Sequence, residues 1–331
     1  MTPVYRYMMI CVLLTYAIAG RPAASEQPLL VTRQETRVPA ARLFVSNMPE
    51  RVSAPRILFE GRLRDDSAVR MVYHHLNDGS GALRFSIELL NPSAAPVQVQ
   101  VIEAFAAPQA SELTVGHLAT LRYAEREGSN TGHALTVPAD SALTIHTERW
   151  PAGTVVSGLA RFRMLHAGGT AILRLRAHAQ ESARIAALTD YTPSAVMGDY
   201  AFISTALFFT GSYAVDGMWL FHSLGDVSIP GESPSQYLAG AYGVWHHYTM
   251  TLSNPTARQA TVLLSITAGG GVGRLVYSFG EGWKETRLLQ PDKEETLASF
   301  TLAPGARRTV RLTAMPQSGS NYPMRLTVRP K

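Results

Sequence analysis

A chain of 331 residues, 46% hydrophobic and 17% charged, holds enough apolar material for a sizeable core and too much for a disordered polymer. Its net charge of +5 comes from 30 Lys and Arg against 25 acidic residues, scattered with no run of four, which suits solvated strand faces and offers no basic run for nucleic acid. The single cysteine, Cys11, lies in the N-terminal apolar stretch, so the rest of the chain can use no disulfide, thiol nucleophile or thiolate-held metal.

In chain order, Arg6 precedes the apolar run Tyr7 to Ala19, and Ala17-Ile18-Ala19 supplies a small-x-small cleavage pattern. That run is too short to span a bilayer and has the form of an export signal over residues 1–19, cut before Gly20. The expected location is therefore the envelope or the extracellular space, with no membrane span after cleavage. Gly20 to Pro39 is polar and reads as a leader or a loose first strand.

Beyond it the apolar period is close to two. Leu83, Phe85, Ile87 and Leu89 alternate with Arg84, Ser86 and Glu88; Val97, Val99 and Val101 alternate with Gln98 and Gln100; Ile172 to Ala177 turns Arg174 and Arg176 outward. Half-buried strands separated by Asn-Asp-Gly, Asn-Pro and Pro-Gly turns predict antiparallel sheets. Two segments have helical character: Ser111 to Glu127, with a capping Ser but weakened by Gly116, and the short Ala183 to Leu188.

The order of elements repeats. Asn91-Pro92-Ser93 follows one strand and precedes Val97, Val99 and Val101; Asn254-Pro255-Thr256, 163 residues on, follows another and precedes Ala260, Val262 and Leu264. Proline cannot donate in a ladder and fixes φ, so Asn-Pro ends one strand and starts the next. The expectation is an all-β chain of two tandem antiparallel sandwich modules, residues 40–185 and 186–331, with an aromatic insertion at 191–241. The modules generically resemble immunoglobulin-like domains, which implies a fold and no function.

Tyr237-Leu238-Ala239-Gly240-Ala241-Tyr242-Gly243-Val244, then His247 and Leu252-Ser253-Asn254-Pro255-Thr256, resembles a family of exported bacterial proteins of unknown function found in cyanobacteria and Gram-positive lineages. Val72-Tyr73-His74-His75 and Asn91-Pro92-Ser93 extend the likeness to about two-thirds of the chain. Members read Leu-x-Gly-Asn-Tyr-Gly-Val, where this chain has Ala241 in place of Asn. The resemblance implies no activity and no cofactor.

Motifs for chemistry are sparse. His74-His75 and His246-His247 cannot chelate as adjacent pairs, because strand neighbours face opposite ways; His75 and His247 could converge on a metal only across the two modules, with Asp78 or Asp216. Asp78-Gly79-Ser80-Gly81 lacks the strand-to-helix elbow of a hydrolase serine. Gly269 to Arg274 resembles a phosphate loop, but a strand follows it rather than a helix, leaving Arg274 and Arg287 as the groups that could meet an anion. Glu281, Asp292, Glu294 and Glu295 near Trp283 read as a solvated turn rather than a glycosidase pair. The aromatic residues Trp219, Tyr237, Tyr242, Trp245 and Trp283, with Arg274, are the candidate contact set, as core or as a stacking surface. The readings that follow are a non-enzymatic binding or scaffolding protein of the envelope, its partner a glycan, wall polymer or another envelope protein, and, as alternatives, a metal-binding periplasmic module or a secreted hydrolase.

Overall fold

The computed structural model describes residues 26–28, 42–48, 50–64, 67–165, 169–180, 183–188, 201–202, 206–233 and 235–331. The export signal and its cleavage point lie outside them.

Short strands β1 (Glu26–Pro28), β2 (Arg42–Ser46) and β3 (Arg51–Val52) precede β4 (Arg56–Leu63), β5 (Val69–Asn77), β6 (Leu83–Asn91) and β7 (Val97–Gln109). Helix α1 (Glu112–Gly128) follows, then β8 (His133–Val137), β9 (Ser141–Trp150), β10 (Val155–Met164), β11 (Ala171–His178) and β12 (Ile185–Ala187). The later strands are β13 (Ala201–Phe202), β14 (Ala206–Ala214), β15 (Trp219–Leu224), β16 (Ile229–Pro230), β17 (Tyr237–Leu238), β18 (Trp245–Ser253), β19 (Ala260–Ala268) and β20 (Val276–Ser278). β21 (Lys284–Glu285), β22 (Glu294–Leu302), β23 (Arg307–Met315) and β24 (Met324–Pro330) complete the order.

The chain is an all-β, sandwich-like fold, and α1 is the one α-helix among the described residues. In the N-terminal half, the sheet β13-β2-β5-β10-β7-β8 faces the sheet β12-β9-β6-β11-β4 across a core that includes Phe44, Tyr73, Phe85, Val101, Trp150, Phe162 and Leu173. In the C-terminal half, β1-β15-β24-β19-β22 faces β14-β18-β23-β20-β21 across a core that includes Phe209, Tyr248, Leu264, Leu312 and Leu326. The period of two is what fills both: alternate residues point inward and the rest face out.

One sheet order occurs twice. In β2-β5-β10-β7-β8 and in β1-β15-β24-β19-β22, a parallel pair at one end leads into antiparallel partners. The Asn-Pro turns repeat atom for atom. The Asn91 amide donates to the carbonyls of Ala95, Val137 and Pro138, and its Oδ1 accepts from the Ser93 amide and hydroxyl. Asn254 donates to Arg258, Leu302 and Ala303 and accepts from the Thr256 amide and hydroxyl. Both side chains are fully buried, so each satisfies carbonyls that two loops would otherwise bury bare.

Helix α1 runs as its pattern predicts. Ser111 caps it by accepting from the Thr114 amide, and Val115, Ala119, Tyr123 and Ala124 form its buried face. The segment Ala183 to Leu188 is not helical. It contains the exposed edge strand β12, which pairs with β9. No helix among the described residues is long and apolar enough to cross a membrane.

Candidate functional site

A third apolar cluster joins the halves. Val72, Ala104, Leu159, Val115, Ala119 and Tyr123 pack with Leu238, Val244, Trp245, Val276 and Met315, so α1 is enclosed between the β7/β10 face and the C-terminal sheets. Contact there is backbone on backbone. A Cβ placed on Gly116 would lie 1.9 Å from the Ser318 carbonyl oxygen, and one on Gly319, whose φ is +77°, would lie 2.2 Å from the Glu112 carbonyl oxygen. His117 bridges the same seam, with Nδ1 2.9 Å from the Gln317 side-chain oxygen and Nε2 on the Glu285 carboxylate.

At the other end of the helix lies a buried ion pair. Arg70 donates to the Tyr123 hydroxyl (3.0 Å), to the Gly243 carbonyl (2.9 Å) and to both oxygens of Glu127 (3.2 Å), while the Trp245 indole donates to Glu127 (2.7 Å). Burial alone would raise the Glu127 carboxyl, but Arg70 and the donors Trp245 and Tyr123 hold it below the ordinary value. The turn that brings Trp245 there is conformationally demanding. Gly240 and Gly243 take positive φ, and so does Ala241 at +48°.

Where the two halves part, a cleft of about 240 Å³ opens. Its walls come from five stretches far apart in the chain: Val45 to Asn47 with Glu50, Val72 to His74 on β5, Glu112 at the start of α1, Tyr242, and Ser318 to Asn321. Tyr242 is held by donating to the Ser320 carbonyl (3.3 Å) and by an edge-on contact with Tyr322 at 5.7 Å. Burial, then the nearby Glu50 charge, raises its hydroxyl above the ordinary value. His74 is pushed down to about 4 by burial and stays neutral near pH 7; its Nδ1 is buried without a hydrogen-bond partner among the described residues. An unpaired buried nitrogen beside a polar cleft is a place for water or a ligand donor.

The residues singled out from the sequence are distributed as follows. Trp245 is buried and stacks on Trp283 at 5.0 Å, beside α1. Arg274, which the sequence offers to an anion, is 4.0 Å from Glu285, and Arg287 is 3.4 Å from Glu295. Tyr242 lines the cleft. Trp219 sits at the start of β15 under the Arg329 guanidinium, and Tyr237 is 66% exposed on the β16–β17 ribbon. His75 is fully buried, 2.8 Å from the Ser46 hydroxyl, whereas His247 sits 3.0 Å from the Thr313 hydroxyl and stacks on Phe208. The two belong to different sheets, and no group of three or more His, Cys, Asp and Glu among the described residues is placed to hold a metal. Glu50, Glu112 and Asn321 carried no signal in the sequence; they matter only because the fold gathers them.

No family model and no curated protein matches this sequence. Among solved structures it is similar to A223, a turret protein of Sulfolobus turreted icosahedral virus, at 11% identity over 85% of this chain and 99% of that one, with a TM-score of 0.18. It is also similar to the CBM22-1–CBM22-2 tandem domain of Paenibacillus barcinonensis Xyn10C, at 8% identity over 85% of this chain and 91% of that one, with a TM-score of 0.15. Scores this low carry no argument about function.

Proposed function

We propose that this is an exported binding protein of the cell envelope that seats a small polar group of a glycan or envelope partner in the cleft between its halves. The observation that carries this reading is the convergence of polar residues from five distant stretches, His74 among them, on one cleft. A volume of about 240 Å³ suits one sugar-sized unit rather than a large ligand. Carboxylates at Glu50 and Glu112, amides at Asn47 and Asn321 and hydroxyls at Ser318 and Ser320 supply the directional bonds such a unit needs, and the Tyr242 ring supplies apolar area. The arrangement calls for recognition rather than bond breaking.

The test is a glycan and wall-polymer array on the purified protein, followed by titration calorimetry on any hit. Glu50→Gln and Asn321→Ala should each weaken binding about tenfold, the worth of one lost charge-assisted or neutral hydrogen bond. Binding that survives both changes undiminished would remove the cleft from the account. N-terminal sequencing of the exported protein should begin at Gly20; a chain retained whole inside the cell would remove the envelope from it.

A further inference from the structure

A second unpaired polar group of atoms lies inside the C-terminal core, away from the cleft. On β18, the inward-facing residues are His246, Tyr248, Met250 and Leu252; on β15, in the facing sheet, they are Leu220, His222 and Leu224. Phe209 on β14 lies among them, its ring centroid 4.1 Å from that of His222, 5.5 Å from that of His246 and 4.9 Å from that of Tyr248. The His222 Nε2, the His246 Nε2 and the Tyr248 hydroxyl are all buried without a hydrogen-bond partner among the described residues. Three such atoms in one apolar nest are costly unless something joins them.

The tautomer of His246 is set by its surroundings. Its Nδ1 lies 3.1 Å from the Val244 carbonyl oxygen, which can only accept, so Nδ1 carries the proton and Nε2 carries a lone pair. An imidazole that donates from one nitrogen to a backbone carbonyl and keeps the other free is the arrangement that orients a metal-ligating histidine.

The spacing agrees. The two ring centroids are 6.3 Å apart. A metal–nitrogen bond of about 2.0 Å plus roughly 1.1 Å from nitrogen to ring centre gives about 6.2 Å across an in-line imidazole–metal–imidazole unit. The 49° between the ring planes is no obstacle, since an ion with two in-line bonds sets no angle between the planes of its ligands. Charge narrows the choice of ion. Among the described residues no carboxylate or other ligating side chain joins the two histidines as a third group placed for a metal, so the site brings no counter-charge. The cost of burying an ion rises steeply with its charge, so an uncompensated site in an apolar core favours a monovalent ion over a divalent one. Imidazole suits copper, and two-coordinate geometry suits its monovalent state.

We propose that His222 and His246 hold a single soft monovalent cation, Cu⁺ or a like ion, between their Nε2 atoms, with the Tyr248 hydroxyl the third polar atom of the nest. His222 is the nearer of the two to solvent, 8% exposed against 0% for His246.

The test uses the purified protein without oxygen. Cu⁺ is delivered against a competing chelator, and Ag⁺ is used as a redox-inert stand-in. The expected result is one tightly bound equivalent, two nitrogen neighbours by X-ray absorption, and displaced ¹⁵N resonances for the Nε2 of His222 and His246 but not of His75. His222→Leu and His246→Leu should each abolish that equivalent, whereas His247→Leu should keep it. Should either core variant fail to fold, the ¹⁵N displacement in the unaltered protein decides alone. No bound equivalent, binding that persists in both variants, or unmoved Nε2 resonances would each overturn the proposal and leave the nest to water.

Discussion

Adding a single methyl group at Gly116 separates two effects of opposite sign. In an isolated helix, Gly→Ala gains about 1 kcal/mol, because alanine loses less backbone freedom on folding. Here the new Cβ would sit 1.9 Å from the Ser318 carbonyl oxygen and 2.6 Å from its carbon. Both are backbone atoms, so no side chain can swing aside. Restoring an ordinary contact of about 3.2 Å means moving α1 and the 317–320 loop apart by more than 1 Å, which strains a packed interior by about 1–3 kcal/mol. The shift also loosens the His117–Gln317 bond and the seam around Val115, Val276 and Met315. With about 1 kcal/mol for the loosened bond set against the helix gain of about 1 kcal/mol, Gly116→Ala is expected to cost about 1–3 kcal/mol net and to lower the melting temperature by several degrees. Thermal and urea unfolding followed by tryptophan fluorescence would report it. Gly81→Ala is the control, because nothing lies within 4 Å of a Cβ there, and it should change stability by less than about 0.5 kcal/mol. If Gly116→Ala melts at or above the temperature of the unaltered protein, the backbone contact between helix and loop is not real.

Three further outcomes follow from the same packing. Asn91→Ala and Asn254→Ala each strip buried carbonyls of their donor and should cost about 2–4 kcal/mol in urea unfolding; a loss below about 0.5 kcal/mol at both would refute the paired clamps. Glu127→Gln leaves Arg70 buried without its counter-charge and should cost about 3–5 kcal/mol, more than Glu50→Gln at the rim of the cleft; equal costs would count against the ion pair as the clasp between the halves. His74 titrates at about 4 when folded and near 6.5 when unfolded, so the unfolded chain binds the extra proton between those values. Its share of stability is therefore complete above pH 6.5 and declines as the pH falls towards 4, by about 1–3 kcal/mol; a His74→Phe variant should lose that part of the slope, and an unchanged slope would contradict its burial.

Much of the architecture is written locally. Alternation along Leu83 to Leu89 and Val97 to Val101 dictates strands, since only a period of two buries those side chains together, and Ser111 ahead of an apolar face dictates the start of α1. Asn-Pro at positions 91 and 254 dictates where strands stop, because proline has no proton for the ladder. Where alternation is weak, local reading fails: Ile185–Ala187 is an exposed edge strand, and without a buried face nothing marks its period.

Partnership, by contrast, was decided only by the tertiary structure. The pattern tells which face a residue takes and not which strand it meets, so the parallel pairings of β1 with β15 and β14 with β18 left no trace in the order of residues. The same holds for the cleft. His74 was visible as one of a pair, but Glu50, Glu112 and Asn321 are ordinary surface types until five distant stretches are folded against one another. Gly116 shows the difference most sharply: along the chain it is a weak point in a helix, and in space it is the one residue small enough to let a carbonyl from 202 positions away reach the helix backbone.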